Sequence, residues 1–166
     1  RHPHVFSTTE VSDSAQVVQN WEMLKAKEKD GNKRILSGVP DTLPPLLKAY
    51  RMQDKARAVG FDWEKREDVW DKVHEELGEY RAELDAMASA SDDKEEKAAK
   101  DRAEQELGDY LFSVVNAARL YGLNPDTALE RTCAKFKRRF TYLEEHTIRQ
   151  GRDLHDMTLA QMDEIW

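Results

Sequence analysis

The sequence predicts an all-α helical bundle, and three observations carry that expectation. Only 39% of the 166 residues are hydrophobic while 36% are charged, a balance that suits amphipathic helices better than a sandwich or barrel. There are 7 glycines and 5 prolines, few for a β protein that must turn often. The clearest hydrophobic period is helical: Trp70, Val73, Leu77, Tyr80, Leu84 and Met87 are spaced 3, 4, 3, 4 and 3 residues apart, the pattern of a bundle seam. No strand pattern competes with it.

The elements follow in order. Arg1 to Asp13 reads as irregular chain. Ser14 is a candidate cap for a first helix through Val17, Val18, Trp21 and Leu24 to about Asp30, stopped by Gly31-Asn32. Lys33 to Asp41 reads as a loop. Leu43-Pro44-Pro45 opens a second helix with proline in its first turn; Leu46, Leu47, Tyr50 and Ala58 give it an apolar side, and Gly60 ends it. Phe61-Asp62-Trp63 is a short connector. The third helix carries the 3-4 seam, which places Trp70 in the core, and it fades into a polar loop over Ser89–Glu96.

The fourth helix runs from about Glu95 to Tyr121 on a seam of Ala103, Leu107, Tyr110, Val114, Ala117 and Tyr121. From Tyr110 onward it is apolar nearly all round, which predicts burial on several sides. Gly122 stops it. Asn124-Pro125-Asp126 supplies a cap, a proline at the first position and a first-turn acid for a fifth helix. That helix is expected to bury Leu129, Cys133, Phe136, Phe140 and Leu143 and to end by Gly151. Thr158 to Gln161 resembles a capping box opening a last short helix that carries Trp166. Residues 1–40 are expected to form an N-terminal segment with one helix, the tail of a preceding domain or a linker, and residues 41–166 the main helical domain. The chain starts with Arg1 rather than Met, which predicts a piece of a longer protein.

The net charge of −7 argues against a nucleic-acid backbone as partner, although metal ions let an acidic protein bind phosphates. A single cysteine, Cys133, excludes an intramolecular disulfide and a cysteine zinc cluster, and a reducing cytoplasm is the simplest setting. No apolar run is long enough to span a membrane, and no membrane partner is expected.

One short echo carries the chemistry. Glu75-Glu76-Leu77-Gly78-Glu79-Tyr80 is answered by Gln105-Glu106-Leu107-Gly108-Asp109-Tyr110. In each copy two carboxylates lie three residues apart, on one helical face and about one turn apart. The leucine between them and the tyrosine after them belong to the apolar seams, so the acids flank the packing surface. Two such helices side by side bring Glu76, Glu79, Glu106 and Asp109 into one small volume. Unpaired charges there repel and resist desolvation, and a hard divalent cation relieves both problems. Oxygen-only ligands point to Mg²⁺, Mn²⁺ or Ca²⁺, not zinc. The competing reading of any such pair is a solvated acidic face. Gly78 and Gly108 weigh against it, because a glycine inside a helix costs about 1 kcal/mol against alanine and needs a reason, such as close approach of a helix or ligand.

Asn116 is polar within an apolar stretch and needs a partner, either a neighbouring helix or a ligand. Lys135, Arg139 and Tyr142 share one face of the fifth helix. A cation row beside a metal site is what a polyphosphate needs; alone, it reads as a basic face pairing with Glu144 or Glu145. The default for Trp63, Trp70 and Trp166 is packing. The five histidines show no metal-ligand spacing.

These residues resemble a known family. Glu75-Glu76-x-x-Glu79 followed by Glu106-x-x-Asp109 is similar to the EExxE…ExxD signature of the all-α nucleoside triphosphate pyrophosphohydrolases, the MazG and dimeric dUTPase superfamily. His2-Pro3-His4-Val5-Phe6 resembles the tail of the first MazG repeat. Val59-Gly60-Phe61-Asp62-Trp63, Val115-Asn116-Ala117-Ala118-Arg119 and Lys135-Phe136-Lys137-Arg138-Arg139-Phe140 resemble its second repeat, and Met157-Thr158-Leu159 through Trp166 its C-terminal end. Ala86–Lys100 matches nothing in the family's pattern. The resemblance implies a MazG-like helical-bundle homodimer that depends on Mg²⁺, with Mn²⁺ a possible substitute, and cleaves a nucleoside triphosphate to the monophosphate and pyrophosphate. It implies Glu76, Glu79, Glu106 and Asp109 as metal ligands, Asn116, Lys135 and Arg139 as substrate contacts, and Trp166 at the base or sugar.

The mechanism expected from both lines is attack of water on the α-phosphorus, with Glu79 or Glu75 taking the water's proton and Lys135 and Arg139 stabilising the leaving pyrophosphate. The alternative is a non-catalytic helical dimerisation or regulatory module, which the two seams alone would support. A di-iron carboxylate oxidase ranks last, because such sites need paired Glu-x-x-His motifs and none are present.

Overall fold

Prolines and glycines decide where the helices begin and end. The computed structural model describes residues 34–166 together with Val18 and Trp21. Val18 and Trp21 are helical; the rest of the expected first helix, its Ser14 cap and its Gly31-Asn32 stop lie outside the described residues. Helix α1 spans Pro45–Ala58 with proline in its first turn, where the missing N–H has no helical acceptor to lose. Helix α2 spans Val69–Ala88, α3 Asp93–Leu120, α4 Pro125–Arg149 and α5 Leu159–Ile165. Short 3-10 turns lie at Ile35–Gly38, Arg66–Asp68 and Leu154–Asp156. Among the described residues there is no strand.

Helices α1, α3 and α4 close in the same way. Gly60 and Gly122 sit at φ +94° and +74°, a region a Cβ disfavours. After α1 the N–H of Phe61 bonds to Ala56 O at 3.0 Å and that of Gly60 to Arg57 O at 2.9 Å; after α3 Leu123 and Gly122 bond to Ala118 O and Arg119 O at 2.9 and 3.0 Å. These paired bonds satisfy carbonyls the helix leaves orphaned. Gly151 closes α4 with the same pair of bonds.

The start of α3 corrects the sequence reading. The expected loop over Ser89–Glu96 is only four residues long, and the helix begins at Asp93. Asp92 accepts the Glu95 N–H at 2.7 Å, and Glu95 reaches back to accept the Ser91 N–H at 3.1 Å. This reciprocal cap gives α3 an extra turn within a segment that reads as polar loop by composition.

The described residues fall into two compact units, one ending at Pro125 and the other Asp126–Trp166. In the first, α2 and α3 form an antiparallel pair. From the connecting loop outward it is marked by Arg102 Nε on Glu83 at 3.0 Å, Tyr80 stacked on Tyr110 with centroids 6.5 Å apart, and Trp70 Nε1 donating to the Tyr121 hydroxyl at 3.1 Å. The core is Val69, Val73 and Ala117, with Tyr110, Leu120 and Tyr121 against it. Helix α1 joins this pair along α3, and Gln53 Nε2 donates to Phe112 O at 2.9 Å.

In the second unit Leu143 and Thr147 of α4 are buried, and Thr147 Oγ1 donates to Leu143 O at 2.7 Å. Met157 is buried beside them. Thr158 and Gln161 form the expected capping box at α5. Phe136 packs on Phe140 and Trp166, with centroids 6.0 and 5.3 Å apart.

Burial departs from the seams in three places. Trp70, expected in the core, is 46% exposed, and Leu84 is also exposed. Leu111, Phe112 and Val114 on α3 are exposed, although that stretch is apolar all round. On α4 only Leu143 of the five expected residues is buried; Phe136 is 58% exposed, and Leu129, Phe140 and Cys133 are exposed too. Periodicity marks a stripe that favours a neighbour; it does not supply the neighbour.

Replacing Asp92 by alanine is expected to lower stability by about 1 kcal/mol, the usual value of an acidic helix cap, measured as a shift in the urea midpoint without a change of slope.

Candidate functional site

The antiparallel pairing of α2 and α3 sets the two acidic motifs face to face. Glu76, Glu79 and Glu106 each offer a carboxylate oxygen, and these oxygens lie within 4.8 Å of one another. Glu76 is only 6% exposed, Glu106 is half-buried and Glu79 is exposed. One oxygen of Glu76 and one of Glu106, Oε2 in each case, is buried with no hydrogen-bond partner. A buried carboxylate oxygen without a partner is costly, so two in one cluster call for a cation.

The electrostatics agree. The Glu79 carboxyl titrates above the ordinary glutamate value, chiefly because of the Glu76 charge, then through desolvation, Glu106 and Glu75. Lys72 reaches the cluster from one turn earlier on α2, with Nζ 2.8 Å from Glu76 Oε1 and 3.6 Å from Glu75 Oε2. Its ammonium is held above the usual lysine value, first by the hydrogen bond to Glu76. One ammonium cannot balance the carboxylates around it. The donor set is all oxygen, and no histidine or cysteine joins the group. A hard divalent ion fits these residues.

Asp109, the fourth carboxylate of the echo, stands outside the trio and is exposed. With Glu76 it lines a cavity of about 750 Å³ within the first unit. Leu36, Met52, Phe61, Trp63 and Phe112 give this cavity an apolar wall, and Gln53, Asn116 and Arg119 add polar groups. A mostly apolar cleft with a few placed polar groups is the usual form of a small-ligand site. Glu75 is exposed and, among the described residues, bound only to Lys72.

The wall is held by a buried ion pair. Arg119 donates to Asp62 through Nη2 at 2.6 Å and Nη1 at 3.2 Å, and through Nε and Nη2 to Asn116 Oδ1 at 3.0 and 2.8 Å. The bidentate fork fixes Asp62 and so holds its neighbours Phe61 and Trp63 at the cavity. Phe61 is 79% exposed. Asn116, for which the sequence left two partners open, lines the cavity and gives its oxygen to Arg119 on its own helix.

Lys135 and Arg139 belong to the second unit, exposed on α4. Among the described residues neither forms an ion pair, so Glu144 and Glu145 do not neutralise them. Trp166 packs on Phe136. Among the described residues, a Cβ built on Gly78 or Gly108 would meet nothing within 4 Å, so close approach of a described residue is not the reason for either glycine.

Sequence reasoning missed three contributors. Lys72 lies four residues before Glu76 on one helix face, a spacing that could have revealed it. The Asp62–Arg119 pair joins residues 57 apart and leaves no local signal. Gln53 reads as an ordinary polar residue, yet it is buried.

Fold and site together define an all-α protein that gathers carboxylates able to hold a metal ion beside a mostly apolar cavity. Residues 65–143, which run through α2 and α3 into α4, match the MazG nucleotide pyrophosphohydrolase domain. Over its full length the chain is 35% identical to a nucleoside triphosphate pyrophosphohydrolase of Escherichia coli and covers 60% of that protein. It is 37% identical to the nucleoside triphosphate pyrophosphohydrolase/pyrophosphatase MazG of Thermotoga maritima, covering 58% of it, and 43% identical to the Bacillus subtilis protein YabN, covering 32%. The chain therefore spans less than two thirds of the length of these relatives. The similarity to MazG nucleotide pyrophosphohydrolases thus includes the helices that carry the acidic cluster.

The raised Glu79 carboxyl gives a signed expectation. Its folded-state value lies above its unfolded value, so its contribution is fully present below the ordinary glutamate range and is lost as pH rises through the raised value. Without metal, Glu79→Gln should therefore melt higher than the parent at neutral pH, and the gap should close as pH falls through that window. Added Mg²⁺ should raise the melting temperature of the parent and much less that of the variant. Thermal melts with and without Mg²⁺ check both statements.

Proposed function

We propose that this chain is the catalytic part of a longer protein, within residues 41–166, and hydrolyses nucleoside triphosphates to nucleoside monophosphate and pyrophosphate. The observation that carries the reading is the pair of buried, unpartnered carboxylate oxygens of Glu76 and Glu106 beside the apolar cavity. The names of the relatives support the same chemistry.

In this reading Glu76, Glu79 and Glu106, with Asp109, hold Mg²⁺ or, in its place, Mn²⁺. When bound, the ion supplies positive charge to the phosphates and acidity to water. The phosphoanhydride bond between the α- and β-phosphates breaks as water adds to the α-phosphorus. Glu79 or Glu75 accepts the proton that the water loses. Lys135 and Arg139 donate hydrogen bonds to the departing pyrophosphate, whose charge grows as the bond breaks. The apolar cavity receives the base, Asn116 contacts the substrate through its amide N–H, and Trp166 reaches the base or sugar.

We also read the chain as a homodimer. The exposed apolar residues of α3 and α4 support this, since an uncovered stripe of that kind marks an association surface. Clearance or control of the nucleotide pool in a reducing cytoplasm is the setting such an activity fits. Among the described residues no helix is long and apolar enough to cross a membrane.

Turnover of a panel of triphosphates with Mg²⁺, read as pyrophosphate released, tests the reading. Glu76→Ala and Asp109→Ala should each lose activity by about a hundred-fold or more. Lys135→Ala and Arg139→Ala should lower kcat with the metal site intact. Parent-like release from Glu76→Ala would overturn the site. Intact dimerisation with no Mg²⁺ or nucleotide binding by calorimetry would favour the silent helical module instead.

A further inference from the structure

Gln53 is a carboxamide in an unusual position. It sits on α1, is 7% exposed, and lines the cavity that Glu76 and Asp109 also line. Its Nε2 donates to Phe112 O at 2.9 Å. A backbone carbonyl can only accept, so this bond fixes which way round the amide lies. The oxygen, Oε1, is therefore the end left over, and it is buried with no hydrogen-bond partner. A buried acceptor left unmade costs free energy unless something donates to it.

The surroundings narrow what that donor can be. Phe61, Trp63 and Phe112 offer aromatic surface to a flat, largely apolar ligand. Of the cavity's acids, Glu76 belongs to the candidate metal cluster and Asp62 is held by Arg119; its cations are committed too, Arg119 to Asp62 and Asn116, and Lys72 to Glu76 and Glu75. What remains unmatched among the neutral groups of the wall is a single acceptor, Gln53 Oε1, which a ligand N–H would satisfy.

We propose that Gln53 is a specificity-determining residue whose Oε1 accepts a hydrogen bond from an edge N–H of a nucleobase seated in this cavity. The inference rests on the reading of the chain as a nucleoside triphosphate hydrolase and deepens it. The ligand class is a planar nitrogenous base carrying an amino N–H; its ring-only analogue, the same size but without the donor, is discriminated against. The discrimination comes mainly from leaving Oε1 unpaired, the asymmetry that lets a polar site reject an analogue lacking one N–H.

Binding of free nucleosides, which requires no cleavage, tests this separately from the hydrolase reading. Calorimetry compares adenosine with purine riboside and cytidine with 2-pyrimidinone riboside, each second member lacking only the amino group. In the parent protein the amino-bearing member of at least one pair should bind about ten-fold tighter. In Gln53→Met that ratio should fall to near one, because the affinity for the amino-bearing nucleoside drops while that for its partner holds. Equal binding within both pairs by the parent overturns the proposal, and this arm needs no variant to fold. So does the absence of nucleoside binding, or a ratio that survives in Gln53→Met. Equal weakening of both members would assign Gln53 a structural role only. A ratio that behaves as expected in a protein that cleaves no triphosphate would sink the hydrolase reading and leave the Gln53 assignment standing.

Discussion

The antiparallel pairing of α2 with α3 is the constraint on which the site depends. Each helix alone presents two acids one turn apart beside an apolar stripe, an arrangement that solvent tolerates well. Packing the stripes together, with Tyr80 on Tyr110 and Val73 against Ala117 within the same core, forces the acids of both helices to one place. Burial of the seam and crowding of Glu76, Glu79 and Glu106 are thus a single event. The favourable apolar contact carries an unfavourable charge cluster with it.

That conflict is visible in individual atoms. Glu76 is buried with one oxygen on Lys72 and the other on nothing. Glu79, though exposed, holds its proton more tightly than an isolated glutamate because of Glu76. Such local disagreement between charge and burial is what a bound cation would relieve. Lys72 occupies part of that role, and a cation in the trio would change what Lys72 has to neutralise.

The cavity is organised by a different device. The Gly60 turn ends α1 and sends the chain into Phe61-Asp62-Trp63, and the Arg119 fork then holds Asp62. Two side chains from a connector become a wall because one buried arginine on α3 fixes the residue between them. The bond from Gln53 to Phe112 O ties α1 to the same stretch of α3. The acidic cluster and the cavity share helix α3, so its register positions both.

The sequence by itself determined the helices and the acidic echo. Proline and glycine mark most helix ends, the 3-4 period shows which residues form the seams, and acids three apart on a helix must share a face. These are local properties of the chain. The cap at Asp92 is also local, in Ser91-Asp92-x-x-Glu95, although the charge of the surrounding segment disguises it as loop. Tertiary structure alone decided which seam residues are covered: Trp70 and Phe136 belong to stripes yet lie open, because burial depends on a neighbour that a periodic pattern does not contain. It alone decided that three of the four echo carboxylates converge, since helix register sets which turns face each other. It also brought Asp62 to Arg119 and left Gln53 with a buried, unpaired oxygen, because contacts between residues more than fifty apart are settled by packing and not by any neighbour in the chain.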